Sequence, residues 1–441
     1  MTATTHPARA PHPPLARARA AGPDALRAGF ARAQAVSASR HLERLRPFER
    51  EWFGDGQARP KAAHIAAANA LVAKERAAQA RKVAALGRLA AAAARPDAPL
   101  AARHRFMAAK DHVTRGTRET EGVWHFFDAL FAQRKGVFGK ELGAMDRIAL
   151  DCYQAVWMGL GRARSLPSPP PLSYFEPSSG PATWRRGVRV PDLARRENPF
   201  PLVRLPFHRI VNPWSLGAMP HEVGHNIHAD LGLWTVTPKL IERRLSAMGL
   251  PREAVETWAR WHKEIYADLI GLLLIGPAYV GSLMDVVGKA PDRVTRFDPE
   301  GAHPVSYLRP FLSTALLRRI GFASHAEAAE RAWRGLYGPG VARRLPRALR
   351  HRFPEAARAV VEELCFRPMR AYGGRPLVAV VRFRPQDAAT VAEAAGRLAR
   401  GDAPGILPSR FLIAAARHAL DRRLAPPETI AANFYVTLTG A

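Results

Sequence analysis

The chain of 441 residues has few cysteines and, for so basic a protein, few lysines. Its two cysteines, Cys152 and Cys365, lie far apart in apolar surroundings, which predicts buried free thiols and excludes a small disulfide-stapled domain. Only nine lysines contribute to the 66 basic residues, and the arginines are dispersed among abundant alanine, glycine and proline. This composition is typical of a GC-rich genome, so the net charge of +28 does not predict a specific nucleic-acid partner.

Long uninterrupted apolar segments are also missing. The stretch 269–287 approaches transmembrane length, but Gly276-Pro277 interrupts it and Asp285 lies inside it, so we expect a buried core helix and no membrane span. Residues 1–40 lack the apolar region of a secretory signal, and their Arg-rich composition is interpreted as a disordered tail rather than an organellar presequence. A cytoplasmic protein is therefore expected.

Several common catalytic signatures are absent from the sequence. It contains no Gly-x-Ser-x-Gly nucleophile elbow, and neither cysteine stands in a nucleophile signature. The glycines of residues 335–340 lack the Lys-Ser/Thr that a phosphate-binding loop requires. Serine and cysteine nucleophiles and a phosphate loop therefore receive no support.

An apolar fraction of 47% indicates a globular chain, and its patterning predicts a mainly α (α+β) fold. After the tail, residues 41–164 are predicted to form an N-terminal helical region. Residues 165–320 are predicted to form a catalytic core that contains a small β-sheet, and residues 321–441 a C-terminal helical region. Aromatic and leucine residues at helical spacing are interpreted as a core-facing stripe: Trp124, Phe127, Phe131, Phe138 and Leu142.

The predicted sheet consists of short β-prone pieces that follow a Pro-rich segment at residues 165–171. Leu172–Phe175 is expected to be one strand. Pro201–Phe207 is expected to be an edge strand, because proline is tolerated at a sheet edge and not at its centre. A further strand is considered possible at Leu377–Phe383.

The most informative segment contains His221-Glu222-x-x-His225. On a helix, residues four apart project from the same face, so His221 and His225 can bind one metal ion. Two imidazoles on one face suit zinc, and Glu222 can reach a water beside the metal. Because proline is tolerated only in the first turn, Pro220 predicts that this helix begins near Gly217 or is kinked at the proline.

The third ligand is predicted on a later helix that runs from Pro251 to about Ile275. Glu264 and Asp268 are four residues apart on a face that is otherwise mostly apolar. Two buried carboxylates are costly unless they have partners. One zinc ion and its histidines would supply them, with Glu264 binding the metal and Asp268 accepting the outer N–H of a histidine ligand.

The pattern His221-Glu222-x-x-His225 followed by Glu264-x-x-x-Asp268 resembles the gluzincin metallopeptidases, the clan that includes thermolysin. In that clan the helix after the His-Glu-x-x-His helix supplies a zinc-binding glutamate, and an aspartate one turn further on orients a histidine. The resemblance covers roughly residues 200–320 and does not assign a family within the clan. It implies a zinc-dependent peptidase that acts on peptide or protein substrates.

This ligand set predicts the catalytic roles. The metal would polarise a water, and Glu222 would take a proton from that water and pass it to the leaving amine. In gluzincins, a tyrosine or histidine from a downstream segment typically stabilises the oxyanion. His303 and Tyr307 are the candidates here, because they are four residues apart and would point at one cleft.

Alternatives to this interpretation remain open. The metzincin pattern fails, because His228 and Leu231 stand where that pattern requires glycine and histidine. His228 lies on nearly the same helical face as His221 and is an alternative ligand, although a core or solvated histidine is its default interpretation, as for Asp230 and His262. Two other functions are a zinc protein with altered catalysis or another amide substrate, and a basic nucleic-acid-associated protein with structural zinc.

Overall fold

The computed structural model describes residues 22–178 and 180–440 and is mainly helical, with 69% helix and 4% strand. The predicted mainly α class with a small sheet is thus confirmed at that level. The strands are β1 (Leu172–Phe175), β2 (Ala182–Trp184), β3 (Arg189–Val190), β4 (Arg196–Glu197) and β5 (Leu202–Leu205). The helices are α1 (Pro23–Arg44), α2 (Ala62–Ala93), α3 (Leu100–Ala132), α4 (Gly139–Gly159), α5 (Phe207–Ile210), α6 (Ala218–Asp230), α7 (Thr237–Ala247), α8 (Arg252–Arg260), α9 (His262–Ile275), α10 (Ala278–Val287), α11 (Pro291–Val294), α12 (Arg309–Arg319), α13 (Ala323–Tyr337), α14 (Arg347–Arg350), α15 (Phe353–Val361), α16 (Leu377–Val380), α17 (Pro385–Arg400), α18 (Phe411–Asp421) and α19 (Pro427–Thr439).

The described chain forms two compact units. The first comprises the residues up to Arg46 together with Val72–Gly122, and the second comprises Pro47–Leu71 and the residues from Val123 onward. Helices α2 and α3 therefore contribute to both units. The boundaries predicted after residues 164 and 320 both fall inside the second unit, which also contains the predicted zinc ligands.

Helix α1 occupies part of the segment that was expected to be a disordered tail. Residues 1–21 lie outside the described residues, but a helix begins at Pro23 and continues to Arg44. Proline is favourable at the first helical position, and Asp24 in the first turn complements the helix dipole. Local helix signals outweigh the compositional argument here, and the expectation of disorder is wrong for residues 23–40.

Helix α9 forms the centre of the second unit, and every residue from Glu264 to Ile275 is buried. The stretch 269–287 was expected to be one buried helix, but it comprises the end of α9 and the partly buried α10, which Gly276-Pro277 separates. Nowhere in residues 22–178 and 180–440 is a helix long and apolar enough to cross a membrane. The single helix predicted from Pro251 to Ile275 is instead α8 followed by α9, because Trp261 between them has a ψ of −3°, far from the helical value of about −42°.

The three-stranded sheet has β5 at its centre. β1 pairs with β5 in parallel and β2 pairs with β5 antiparallel, so the order is β1-β5-β2. The prediction that Pro201–Phe207 is an edge strand is therefore wrong, and β2 is an edge strand. Both prolines are compatible with a central strand because β5 comprises only Leu202–Leu205, between Pro201 and Pro206. The strand predicted at Leu172–Phe175 is confirmed as β1.

Two further predictions concern apolar segments. In the aromatic stripe, Phe127, Phe131 and Leu142 are fully buried, whereas Trp124 and Phe138 are partly buried. The segment Leu377–Phe383, where a strand was considered possible, begins with the short helix α16 and contains no strand. A short apolar run is compatible with either a strand or a buried helical turn, so periodicity could not decide between them.

Candidate metal centre and cleft

Helices α6 and α9 pack against each other in antiparallel directions and carry the predicted ligands. Pro220 is the third residue of α6, which begins at Ala218, so the expected position of proline in the first turn is confirmed. The close approach of the two helices depends on Gly224. A Cβ at this position would lie 2.6 Å from Ile270 Cγ2 and 3.1 Å from Ala267 Cα, closer than a side chain allows. The glycine within the His-Glu-x-x-His segment is therefore a packing requirement.

His221, His225 and Glu264 meet where these helices touch. The potential ligand atoms of the three side chains all lie within 4.8 Å of one another. His221 Nε2 is 3.4 Å from Glu264 Oε2, and His225 Nε2 is 3.3 Å from Glu264 Oε1. In a tetrahedral zinc site with bonds of about 2.0–2.2 Å, neighbouring ligand atoms are roughly 3.3–3.5 Å apart. The donor types and the two histidine–glutamate separations fit zinc.

Asp268 fixes the orientation of the first histidine. Asp268 is completely buried, and its Oδ1 lies 2.9 Å from His221 Nδ1. The Tyr279 hydroxyl donates to Asp268 Oδ1 at 2.7 Å and lies 3.2 Å from the same histidine nitrogen, which leaves its oxygen lone pair free to accept. Both neighbours therefore favour a proton on Nδ1, so the Nε2 lone pair of neutral His221 faces Glu264 and is available to a metal.

Arg309 and Tyr279 belong to this centre, although no role was predicted for either. Arg309 Nε and Nη2 donate to the two oxygens of Asp268 at 2.8 and 2.7 Å, which forms a buried bidentate pair. Tyr279 reaches Asp268 because Gly271 lets its ring lie against α9, where a Cβ would be 2.5 Å from the ring. The sequence indicated that Asp268 has a basic partner, because an aspartate that faces an apolar interior needs a cation, but it did not identify Arg309 as that partner.

The electrostatics of the centre favour a bound cation. Burial by itself would lower the pKa of His221, but Asp268 and Glu264 outweigh this effect and raise it to about 10. Burial would raise the pKa of the Glu264 carboxyl, yet His225 and His221 beside it hold that pKa well below its usual range. The carboxylates thus create a field that stabilises positive charge next to the histidine nitrogens.

Glu222 differs from Glu264 in its surroundings. Its side chain is 5% exposed and lines the cleft, and no cation lies within 4.0 Å of its carboxylate in the described part of the chain. Burial raises the pKa of the Glu222 carboxyl and outweighs the nearby His221 and His225, which act to lower it. A buried carboxylate without a fixed partner can accept a proton from a water and release it again, which is the behaviour required of a general base.

These residues form one wall of a cleft with a volume of about 810 Å³. Strand β2 contributes Ala182 and Thr183 to another wall, and Asn226 Nδ2 of α6 donates to Thr183 Oγ1 at 2.8 Å. The edge strand beside the centre is thus β2 and not the segment Pro201–Phe207. An edge strand at this position offers unpaired backbone groups to an extended peptide.

The two predicted oxyanion donors have different locations. His303 lines the cleft with a side chain that is 74% exposed, and its Nε2 is 3.5 Å from Glu264 Oε1. Tyr307 is buried, its ring packs against Phe311, Trp333 and Tyr337, and it lines a separate cavity. The expectation that Tyr307 points into the cleft is therefore corrected. Residues 303–307 do not form one helix, since α12 begins only at Arg309.

The remaining polar residues of this region have structural contacts. His228 is completely buried, stacks on Tyr266 and hydrogen-bonds to Thr237 through Nε2, and it is not part of the ligand cluster. His262 hydrogen-bonds to the same threonine, and Asp230 accepts a hydrogen bond from Tyr153. Their default interpretation as structural residues agrees with these contacts.

Comparisons with protein-family models, with curated proteins and with solved structures find no match for this chain.

Proposed function

We propose that this protein is a zinc-dependent peptidase with a gluzincin-like ligand set and zinc-peptidase fold. The observation that carries the proposal is the convergence of His221, His225 and Glu264 within 4.8 Å, on the wall of a cleft that also contains the unpartnered carboxylate of Glu222. One zinc ion held by the three ligands would supply Lewis-acid chemistry, which polarises a carbonyl and makes water more acidic. The edge strand β2 supports a peptide as the substrate.

The residues around the ligands hold them in the required state. Asp268 keeps the His221 proton on Nδ1, and Arg309 with Tyr279 keeps Asp268 ionised and in place. Burial raises the pKa of Asp268, but Arg309 and His221 outweigh burial and lower it to about 2. Asp268 thus remains a carboxylate at neutral pH and continues to accept the histidine proton.

Glu222 is the proposed proton carrier. Its carboxylate takes a proton from the attacking water and delivers it to the nitrogen of the leaving amine. The His303 imidazole, at the rim of the cleft, is the proposed hydrogen-bond donor to the oxyanion that develops on the scissile carbonyl. Tyr307 has no part in the proposal, because it faces another cavity.

The proposal is tested by metal content and cleavage together. The purified protein should contain one zinc per chain by elemental analysis and should cleave a mixed peptide library, with loss of cleavage on treatment with a chelator. Glu222→Gln should retain zinc and lose about 10²- to 10⁴-fold in kcat. Glu264→Gln should lose both zinc and activity, because it removes a charged ligand.

Glu256→Gln is the matched control, because Glu256 lies on the surface of neighbouring α8 in an exposed pair with Arg252. It should retain full zinc content and activity. The proposal is wrong if the protein binds no stoichiometric zinc, or if Glu222→Gln cleaves the library as fast as the wild type.

A further inference from the structure

The cleft contains many more cations than its carboxylates neutralise. Apart from Glu222 and Glu264, its lining includes no acidic side chain among the described residues. Arg309 is committed to Asp268. In the described part of the chain, no carboxylate lies within 4.0 Å of the other five basic side chains of the lining. These five are Arg185, Lys263, Lys289, Arg293 and Arg296.

A second cavity of this protein has a smaller share of unpaired cations than the cleft. This cavity of about 540 Å³, next to α12, is also lined by arginines. There Arg318 and Arg334 pair with Glu330, and Arg319 pairs with Glu362. The other two arginines of this lining have no carboxylate within 4.0 Å in the described part of the chain, against five of the six Lys and Arg side chains that line the cleft. The basic composition of the chain therefore accounts for only part of the unneutralised charge beside the candidate metal centre.

Two of these cations have fixed positions on Trp234. The Arg185 guanidinium lies 3.7 Å from the centroid of the Trp234 ring, and Lys263 Nζ lies 4.2 Å from it. Cation–π contacts of this kind hold the charges in place without neutralising them. Lys263 directly precedes the candidate ligand Glu264, and Arg185 directly follows β2, so Trp234 brings together a cation next to the centre and a cation at the end of the edge strand.

The register of β2 connects these cations with a bound chain. Thr183 and Arg185 are two residues apart and both line the cleft, so they face the same side of an extended backbone. Side chains of a peptide paired with β2 would alternate in the same way. An acidic side chain, or the terminal carboxylate of a short peptide, could therefore bind Arg185 and Lys263 when the peptide pairs with β2.

We propose that the substrates are peptides whose carboxylates bind Arg185 and Lys263, with Lys289, Arg293 and Arg296 attracting acidic chains to the cleft. This inference rests on the proposed function for the existence of a scissile bond, but it concerns binding, which is measured separately. Nucleic acid is disfavoured as the ligand because Arg185 and Lys263 already occupy Trp234, the one indole in the lining described, so that ring is not free to stack on a base.

The test measures equilibrium binding of fluorescein-labelled peptides to full-length Glu222→Gln protein loaded with zinc, so that no turnover intervenes. Peptides with Asp or Glu in the middle of their sequence should bind at least about tenfold more tightly than otherwise identical peptides with Lys at that position. Added salt should weaken the binding of the acidic peptides. A second series with amidated C-termini distinguishes the two carboxylate sources. Loss of the preference on amidation assigns the terminal carboxylate, and its retention assigns the acidic side chains.

Variants in the Glu222→Gln background locate the contact. The double variant Arg185→Gln, Lys263→Gln should reduce the affinity for acidic peptides about tenfold. It should leave the affinity for the matching Lys-containing peptides unchanged or higher. The control pair is Lys239→Gln with Arg347→Gln, which removes the same charge from two exposed residues outside the cleft lining and should have little effect. The double variant Arg293→Gln, Arg296→Gln changes two exposed residues, so a folding defect is not expected. It should slow the association of acidic peptides with the protein.

Three results would overturn the proposal. The first is equal affinity for acidic and basic peptides, and the second is an equal loss of affinity in the control pair. The third is that an oligonucleotide of matched charge binds as tightly as the acidic peptide and that the cleft substitutions weaken the binding of both equally. That result would identify a general polyanion-binding surface. A preference for acidic peptides without any cleavage would refute the proposed peptidase activity and leave this inference intact. Chelator-sensitive cleavage without such a preference would support the peptidase activity and refute this inference.

Discussion

The substitution Gly224→Ala tests whether the candidate centre depends on the close packing of α6 and α9. The added Cβ would lie 2.6 Å from Ile270 Cγ2 and 3.1 Å from Ala267 Cα. Because non-bonded carbons are most stable about 3.5–4.0 Å apart, the first contact has to open by about 1 Å and the second by roughly 0.5 Å. The Ile270 side chain can rotate, but Ala267 Cα is backbone, so the helices themselves must separate.

This separation acts directly on the ligands, because His221 and His225 are on α6 and Glu264 is on α9. Zinc bond lengths tolerate deviations of about 0.2 Å, which is less than the displacement required. We therefore expect a loss of zinc affinity of roughly 10- to 100-fold, measured by competition with a chromophoric chelator. The free energy of unfolding should fall by about 1–3 kcal/mol from overpacking, partly offset by the higher helix propensity of alanine.

Two further variants make the interpretation specific. Gly335→Ala is the control, because this glycine is exposed in α13 and a Cβ there meets nothing within 4 Å. It should be neutral or stabilise the protein by up to about 1 kcal/mol. Gly224→Ala with Ile270→Ala should regain part of the zinc affinity, since only the backbone contact then remains. Wild-type zinc affinity and thermal stability in Gly224→Ala alone would refute this reasoning.

Two more predictions concern buried charge. Arg309→Met should lower the free energy of unfolding by about 3–5 kcal/mol because it leaves Asp268 buried without its cation, and adding Asp268→Leu should restore stability but not zinc affinity, as judged by urea unfolding and chelator competition. A double variant as unstable as the single one would contradict this. Burial lowers the pKa of His64 to about 4, although its hydrogen bond to the Pro170 carbonyl opposes the shift. Stability should therefore be complete above about pH 6.5 and decline by up to about 3 kcal/mol as the pH falls to 4, and His64→Gln should lose this decline in urea unfolding at several pH values.

The parts of the site that could be predicted from sequence are those fixed by local helical geometry. The spacing of His221 and His225 places them on one face wherever the segment is helical, and Pro220 determines where that helix begins. Glu264 and Asp268 follow from the same rule on α9, although the interruption at Trp261 was not predicted. That interruption left the prediction intact, because both carboxylates lie on its C-terminal side.

The parts that could not be predicted depend on how separate elements pack or on where helices break. Tyr279 and Arg309 reach Asp268 from α10 and α12, and nothing in the spacing of those helices reveals the distance. The error for Tyr307 has the opposite origin, because a four-residue spacing was interpreted as one helical face. His303 precedes Pro304, and α12 begins only at Arg309, so the two side chains point to different cavities.

The centre and the rim of the cleft have charges of opposite sign, and this difference constrains how the site can work. At the centre, Glu222, Glu264 and Asp268 carry three negative charges against the single positive charge of Arg309, which leaves an excess of two when the histidines are neutral. A divalent cation would balance that excess. Without it, His221 would be protonated at neutral pH because its pKa is about 10, and the remaining excess of one negative charge would repel an acidic peptide that the rim attracts. Under the proposed function, the metal would therefore bind before an acidic substrate.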